Sequence, residues 1–253
     1  MNPFSMESRV AVVTGGATGI GRAIGRALAE AGARVVLSSR SSEKGETAVS
    51  ALRDEGLSVQ FVPCDVSSPG EVAGMVEQVV AKHGQLDAMV MSAGLHVLKP
   101  ALETTVEEID ALLAVHVRGA YVCAQAAARA MIGNGGGKIL FIASMLAEAA
   151  APNQSAYIAA KGGMVALTRA LAIEWAPHDI QVNALGPQLT RTPLTEGLYA
   201  DSQKMEAVIA RTPAGRAGEP EDVAGTAIFL CSAASDYLTG QHIIVDGGRS
   251  AAG

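Results

Sequence analysis

Tyr157 and Lys161, in the run Ser155-Ala-Tyr-Ile-Ala-Ala-Lys161, together with Ser144 at the end of an earlier apolar run, are the residues of this chain best placed to move a proton. On a helix, four residues give about 6 Å of rise and about 40° of rotation, so the phenol and the ammonium leave the same face. Two such groups about 5 Å apart, at an effective dielectric of about 20, attract by roughly 3 kcal/mol once the phenol ionises, which is about two units on the pH scale. A phenol that ordinarily titrates near 10 is thereby expected to titrate between about 7 and 8, the working range of a general acid or base. Near the start of the chain a second feature, Thr14-Gly-Gly-Ala-Thr-Gly-Ile-Gly21, joins an apolar run to a helical pattern. Glycines there let a helix N-terminus face a pyrophosphate with bare backbone donors. Taken singly, the glycine spacing also fits a tight structural turn, the Tyr-Lys pair also fits a surface helix, and Ser144 also fits a cap. Taken together they describe a redox enzyme: a nucleotide cradle and a proton donor.

The residues after the second apolar run indicate which nucleotide. That run ends Leu37-Ser-Ser-Arg40, where a carboxylate would ordinarily accept the ribose hydroxyls of NAD. None is present. Arg40, with Ser39 and neighbouring serines, offers a planar cation and small hydroxyls suited to a 2′-phosphate, so NADP is the expected cofactor, with NAD as the alternative. Asp65, in Cys64-Asp65-Val66, reads either as an acceptor for the adenine amino group or as the cap of the following turn.

These residues need a scaffold, and the patterning supplies one. Short β-branched runs at 9–14, 34–37, 59–62, 86–91, 138–143, 180–185 and 242–245 alternate with helical patterns at 20–31, 43–55, 70–83, 106–131, 155–176 and 220–233. Such alternation predicts an α/β fold, a doubly wound parallel sheet of about seven strands with helices on both faces. No linker, charge run or repeat divides the chain, so residues 9–253 read as one domain preceded by a loose tail, 1–8. Residues 186–218, rich in proline and poor in pattern, read as a substrate loop or lid. Of the 253 residues 49% are hydrophobic and 17% charged, which suits a large core, and the net charge of −6 argues against a nucleic-acid partner. The three cysteines lack metal spacing and read as buried thiols in a reducing compartment; no metal is expected. The first residues hold no basic region followed by an apolar stretch, and no run of 18 uninterrupted apolar residues occurs, so a cytoplasmic protein without a membrane partner is expected.

At this point the sequence resembles the short-chain dehydrogenase/reductase family over essentially its whole length. The resemblance rests on Thr14-Gly15-x-x-x-Gly19-x-Gly21, Asp65-Val66, Ala93-Gly94, Ser144, Tyr157-x-x-x-Lys161, Asn183, Pro187 and the tail Gly240 to Gly248 with Val245-Asp246-Gly247. It implies a Rossmann-type sheet, hydride exchange between NAD(P)(H) and a carbonyl/alcohol pair, and a homo-oligomer, usually a tetramer. It implies that Tyr157 protonates the carbonyl oxygen, that Ser144 hydrogen-bonds it, and that Lys161 binds the nicotinamide ribose and depresses the tyrosine. It places Gly15, Thr18, Gly19, Ile20, Gly21, Ser39, Arg40, Asp65, Val66, Ser92, Ala93 and Gly94 around the nucleotide, and Pro187, Leu189 and Thr192 around the nicotinamide carboxamide. Three departures stand out. Met91-Ser92 replaces a pair of asparagines. His116 stands where the family has a helical asparagine, as a proton relay, a helix-bend residue or a damaged relay; an imidazole near pH 6.5 exchanges protons readily. Gln188 replaces a glycine over the nicotinamide and is expected to narrow the pocket or touch substrate. On the substrate side the candidates are His96, Leu146, Glu148, Asn153, Gln154 and residues 189–199, and a compact ketone, sugar or cyclic alcohol is expected rather than a carrier-linked thioester.

Overall fold

Every second residue of the first strand faces the same helical layer, and this alternation builds the molecule. A computed structural model describes residues 2–199 and 202–252. Its strands are β1 (Val10–Thr14), β2 (Arg34–Ser39), β3 (Val59–Pro63), β4 (Ala88–Met91), β5 (Gly137–Ile142), β6 (Ile180–Pro187) and β7 (His242–Val245). They form one seven-stranded sheet in the order β3-β2-β1-β4-β5-β6-β7. All pairings are parallel. Val10 and Val12 pack with α3 (Pro69–His83), α5 (Ala120–Ile132) and α6 (Ser155–Trp175), whereas Ala11 and Val13 pack with α1 (Gly19–Glu30), α2 (Ser42–Asp54) and α9 (Ala224–Cys231). Both faces of the sheet are therefore covered, which is why its strands are apolar on both sides. The three cysteines are free and buried.

Because β1 pairs with both β2 and β4, the chain reverses its winding direction between β1 and β4. The helices that follow these strands diverge there, opening a crevice at the C-terminal edge of the sheet. The predicted helix over 106–131 is present but not uniform. It consists of α4 (Val106–Leu113), begun by a Thr105/Glu108 capping box, then a π-helical segment (Ala114–Gly119), then α5. Met91-Ser92 leaves the sheet intact here: Ser92 N–H donates to Thr14 O at 3.2 Å, and Ala93 N–H lies 3.4 Å from Thr14 Oγ1.

The expected loose tail is instead docked. Met6 is fully buried and its N–H donates to Ala31 O at 2.8 Å, while Phe4 packs against Phe229 with ring centroids 6.3 Å apart. Burial of Met6 and the packing of the partly exposed Phe4 on Phe229 outweigh the entropy of a free terminus. Two helical stretches, Val106–Ile132 and Ser155–His178, are long and apolar enough to cross a membrane; here each lays its apolar side on the sheet. Residues 186–218, of which 200 and 201 lie outside the described residues, are tied down at both ends. Thr190 bridges Gly218, and Ala214 N–H donates to Gly247 O at 3.0 Å. Between these ties run α7 (Glu196–Tyr199) and α8 (Ser202–Ala210).

Candidate active site

The glycine turn is shaped by what would collide with it. Gly15 has φ +68°, and a Cβ there would lie 2.7 Å from the backbone nitrogen of Ala93. A Cβ on Gly21 would run into the carbonyl oxygen of Gly15, and one on Gly19, at φ +52°, would meet Thr192 at 2.9 Å. The backbone thus comes closer here than any side chain permits. Thr18 begins α1 without using its side chain as a cap, so the first helical N–H groups keep their donor capacity. Ile20, half-buried, packs its side chain against the core rather than into the cleft.

Gly15, Thr18, Ser39, Arg40, Asp65, Val66, Ala93 and Gly94 line one cleft of about 530 Å³. Lys44, Cys64, Leu95 and Val115 line it too. Its donors and shape fit a dinucleotide: bare N–H groups at one end, and Arg40 with Lys44 at the other. Arg40 is exposed and forms no ion pair among the described residues. Asp65 spends one carboxylate oxygen on Ser67, accepting from its N–H at 2.9 Å and its hydroxyl at 2.7 Å. Although burial opposes ionisation, those bonds and the charge of Arg40 hold its carboxyl below the usual range. It is therefore a turn cap that still presents its second oxygen.

Ser144, Tyr157, Lys161 and His116 converge past the end of β5, where His116 meets Gly94 and Leu95 of the cleft wall. Ser144 follows β5 and opens a 3₁₀ turn (Met145–Ala147), and its Oγ accepts from Leu146 N–H at 3.2 Å, leaving its hydrogen free to be donated. Lys161 Nζ lies 5.6 Å from the Tyr157 ring centroid and donates to Ile142 O at 2.8 Å. The predicted pairing in space is present; the predicted acidity is not. Burial pushes the Tyr157 phenol up to about 12, against which the Ser144 hydroxyl pulls down, and burial pushes the Lys161 ammonium down to about 7. The lysine's charge favours the phenolate, but desolvation opposes the charge on both groups, and desolvation wins. Near neutral pH it is the lysine that titrates, and the tyrosine stands as a protonated acid.

His116 lies within the π-helical turn, 1% exposed, its ring edge-on to Tyr157 at 5.7 Å. Its Nε2 faces the backbone of Leu95, 2.7 Å from the carbonyl oxygen and 3.2 Å from the N–H, and Nδ1 is buried without a partner among the described residues. Burial first, then Lys161, push it down to about 3. The imidazole is neutral, so the expected proton exchange near pH 6.5 does not occur. The ring also needs bare backbone beside it, since a Cβ on Gly94 would lie 2.7 Å from its Cε1.

The sequence matches, over residues 15–250, the family model described as "Enoyl-(Acyl carrier protein) reductase". It is 37% identical over 245 residues to gluconate 5-dehydrogenase of Gluconobacter oxydans, covering 97% of this chain and 96% of that one. It is 39% identical over 251 residues to 2-dehydro-3-deoxy-D-gluconate 5-dehydrogenase of Escherichia coli, with 98% of both covered. The crystal structure of a gluconate 5-dehydrogenase from Burkholderia cenocepacia in complex with NADP and tartrate superposes with TM-score 0.95 at 38% identity, covering 99% of this chain and 98% of that one. The chain belongs to the short-chain dehydrogenase/reductase family. It is an NADP(H)-type oxidoreductase of that family, exchanging a carbonyl and an alcohol.

As a short-chain dehydrogenase it departs from expectation in one further place. Gln188 was expected to face the nicotinamide or the substrate. Its side chain instead turns away, donating to Thr212 Oγ1 at 2.8 Å, while its N–H reaches Val245 O at 3.3 Å. It fastens the base of the 186–218 loop, because Thr212, 4% exposed, offers a buried acceptor within reach. Of the three predicted carboxamide contacts, Pro187 ends β6, Leu189 follows it half-buried, and Thr192 lies over Gly19. Asn183 is buried and joins β6 to the turn before β7, donating to Leu238 O at 2.8 Å and accepting from Gln241 N–H at 3.0 Å. His242 went unnoticed in the sequence because nothing about a single histidine at a strand start marks it.

Proposed function

We propose that this dehydrogenase is an NADPH-preferring reductase of a compact, polyhydroxylated ketone, working through Ser144, Tyr157 and Lys161. The observation that carries the substrate class is the pair His96 and Gln154, hydrogen-bonded at 2.9 Å, with the His96 ring edge-on to Tyr157 at 4.7 Å. His96 Nε2–H donates to Gln154 Oε1, so Nδ1 is left as an acceptor and the Gln154 amide as a donor, both beside the reacting hydroxyl. A substrate bearing hydroxyls next to its carbonyl satisfies both; a purely apolar ketone leaves them unpaired at a cost of about 1–3 kcal/mol each. The names of the gluconate-type relatives point the same way. Ile173, exposed where a carrier-protein grip would want a cation, favours a free small molecule.

Bound NADPH supplies the hydride that reduces the carbonyl carbon. The chain's own residues do the rest. Ser144 donates to the carbonyl oxygen, Tyr157 gives that oxygen its proton, and Lys161, held against Ile142 O, stabilises the phenolate so formed and titrates in the range where the proton is replaced. His116 serves as a helix-bend residue that holds the loop at Leu95 through Nε2. Arg40, with Ser39, selects the 2′-phosphate. Apolar Val106, Leu113, Tyr121 and Ile132 exposed on α4 and α5, with Ile173 on α6, support a homo-oligomer, a tetramer in our reading, and the free buried thiols support a cytoplasmic setting.

The test is NADPH oxidation with three ketones of equal chain length: polyhydroxylated and acidic, polyhydroxylated and neutral, and hydroxyl-free. We expect kcat/KM for a hydroxylated ketone to exceed that for the hydroxyl-free one by about 100-fold, and His96→Leu or Gln154→Leu to erase most of that ratio. Equal rates on all three would overturn the substrate class.

A further inference from the structure

We propose that Glu148 and His242 form a positioning clamp for Ser144, and that Gly186 is bare to make room for it. Ser144 opens the 3₁₀ turn after β5 and Glu148 closes it. Within the turn the bonds are local: Ala147 N–H to Ser144 O at 3.0 Å, Glu148 N–H to Met145 O at 3.1 Å, and Leu146 N–H to Ser144 Oγ. Such a short turn does not fix its own orientation against the sheet. His242, first residue of β7, does so from two strands away. Its imidazole, 2% exposed, reaches past β6 and places Nδ1 2.8 Å from Glu148 Oε1.

The intervening strand is shaped for this reach. His242 is the register partner of Ala184, and Gly186 lies two residues further along β6. A Cβ on Gly186 would collide with His242 Nε2 and come within 3.2 Å of the Ser144 carbonyl carbon. The space of the missing side chain, which borders the backbone of the catalytic serine, is therefore filled by the imidazole. Since Nδ1–H donates to Glu148, Nε2 carries a lone pair, and it has no partner among the described residues. A polar ring placed at that cost is held there by the carboxylate. The far end of the clamp is rigid, because Asn183 fastens the turn before β7 from both its amide atoms. Apart from the contact of Ser144 with Tyr157, this is the one side-chain hydrogen bond from residues 144–148 to another element among the described residues.

The inference rests on the reading that Ser144 holds the substrate oxygen. It makes Glu148 and His242 positioning residues, acting on the rate only through the serine. The test measures kcat, KM and NADPH affinity for His242→Ala, His242→Asn and Glu148→Ala, each in the natural chain and in a Ser144→Ala background. We expect the two alanine variants to lower kcat about tenfold with KM and NADPH affinity unchanged, as a misplaced catalytic group does. His242→Asn, which returns a donor near the Nδ1 position, should recover most of the rate, and Gly186→Ala should reproduce the loss yet add nothing to His242→Ala. In the Ser144→Ala background the alanine variants should have no further effect. Glu148 is exposed, so its variant remains readable if His242→Ala folds poorly. Unchanged kcat in both alanine variants, or equal losses with and without Ser144, overturns the clamp alone. Full activity of Ser144→Ala overturns the serine's role and the clamp with it.

Discussion

At the nucleotide end of the cleft the chain works with its backbone. Gly15, Gly19 and Gly21 strip away side chains so that peptide groups approach one another and face a ligand, and the main charged contributions, Arg40 and Lys44, stand at an open rim. At the reacting end the chain works with side chains drawn away from water: buried Lys161 and His116 crowd against the half-buried Tyr157, and Lys161 against the end of β5. The contrast teaches where each kind of chemistry comes from. Backbone recognition depends on spacing and on what is absent. Proton chemistry depends on desolvation, which moves the phenol to about 12, the ammonium to about 7 and the imidazole to about 3.

The largest test of the contrast is Tyr157→Phe. It removes the proton donor and leaves the glycine turn untouched, so turnover should fall by at least about 1000-fold while NADPH affinity stays as it was. Retention of most activity would remove the acid from the account. The converse variant is Gly15→Ala, whose Cβ would press on Ala93 backbone; NADPH affinity should fall about 100-fold by fluorescence titration, a loss of two to three kcal/mol for strain and displaced donors. Arg40→Ala should be gentler and selective, raising the NADPH dissociation constant about 30-fold and leaving NADH nearly unchanged. An equal loss for both nucleotides would mean that Arg40 does not read the 2′-phosphate.

His116→Asn probes the buried end through stability. With a folded value near 3 against an ordinary 6.5, protonation favours the unfolded chain, so the stability contribution is complete above about 6.5 and is lost as pH falls toward 3. Replacing the imidazole should flatten that acid limb, by on the order of a few kcal/mol at most, in denaturant melts across pH 3–7. An unchanged limb would show that His116 is not the group responsible.

How much of this was legible in the sequence follows the same divide. The seven strands, both helical layers, the glycine turn and the Ser144, Tyr157, Lys161 set are all matters of spacing, and the structure brings them together as the spacing requires. What spacing does not carry is direction and depth. The apolar period of residues 106–131 continues through the π-helical turn at His116, and the resemblance alone offers a helix-bend residue there. Gln188 was read toward the nicotinamide, but its direction depends on Thr212, a residue distant in sequence and buried by the fold. The tail through Met6 looked loose because its partners, Ala31 and Phe229, belong to other elements. The tyrosine's acidity was misread because two charges on one helical face say nothing of the water they have lost.

Depth therefore carries the central claim, that burial sets the proton chemistry of this site, and Lys161 reports it most directly. Its resonances can be followed by NMR in lysine-labelled protein through a pH titration, with Lys161→Met identifying the signal. One lysine signal with a midpoint near 7, absent from the variant, is expected. A Lys161 signal with its midpoint at or above the ordinary lysine value of about 10.4 would contradict this and return the site's acidity to the pairing of charges alone.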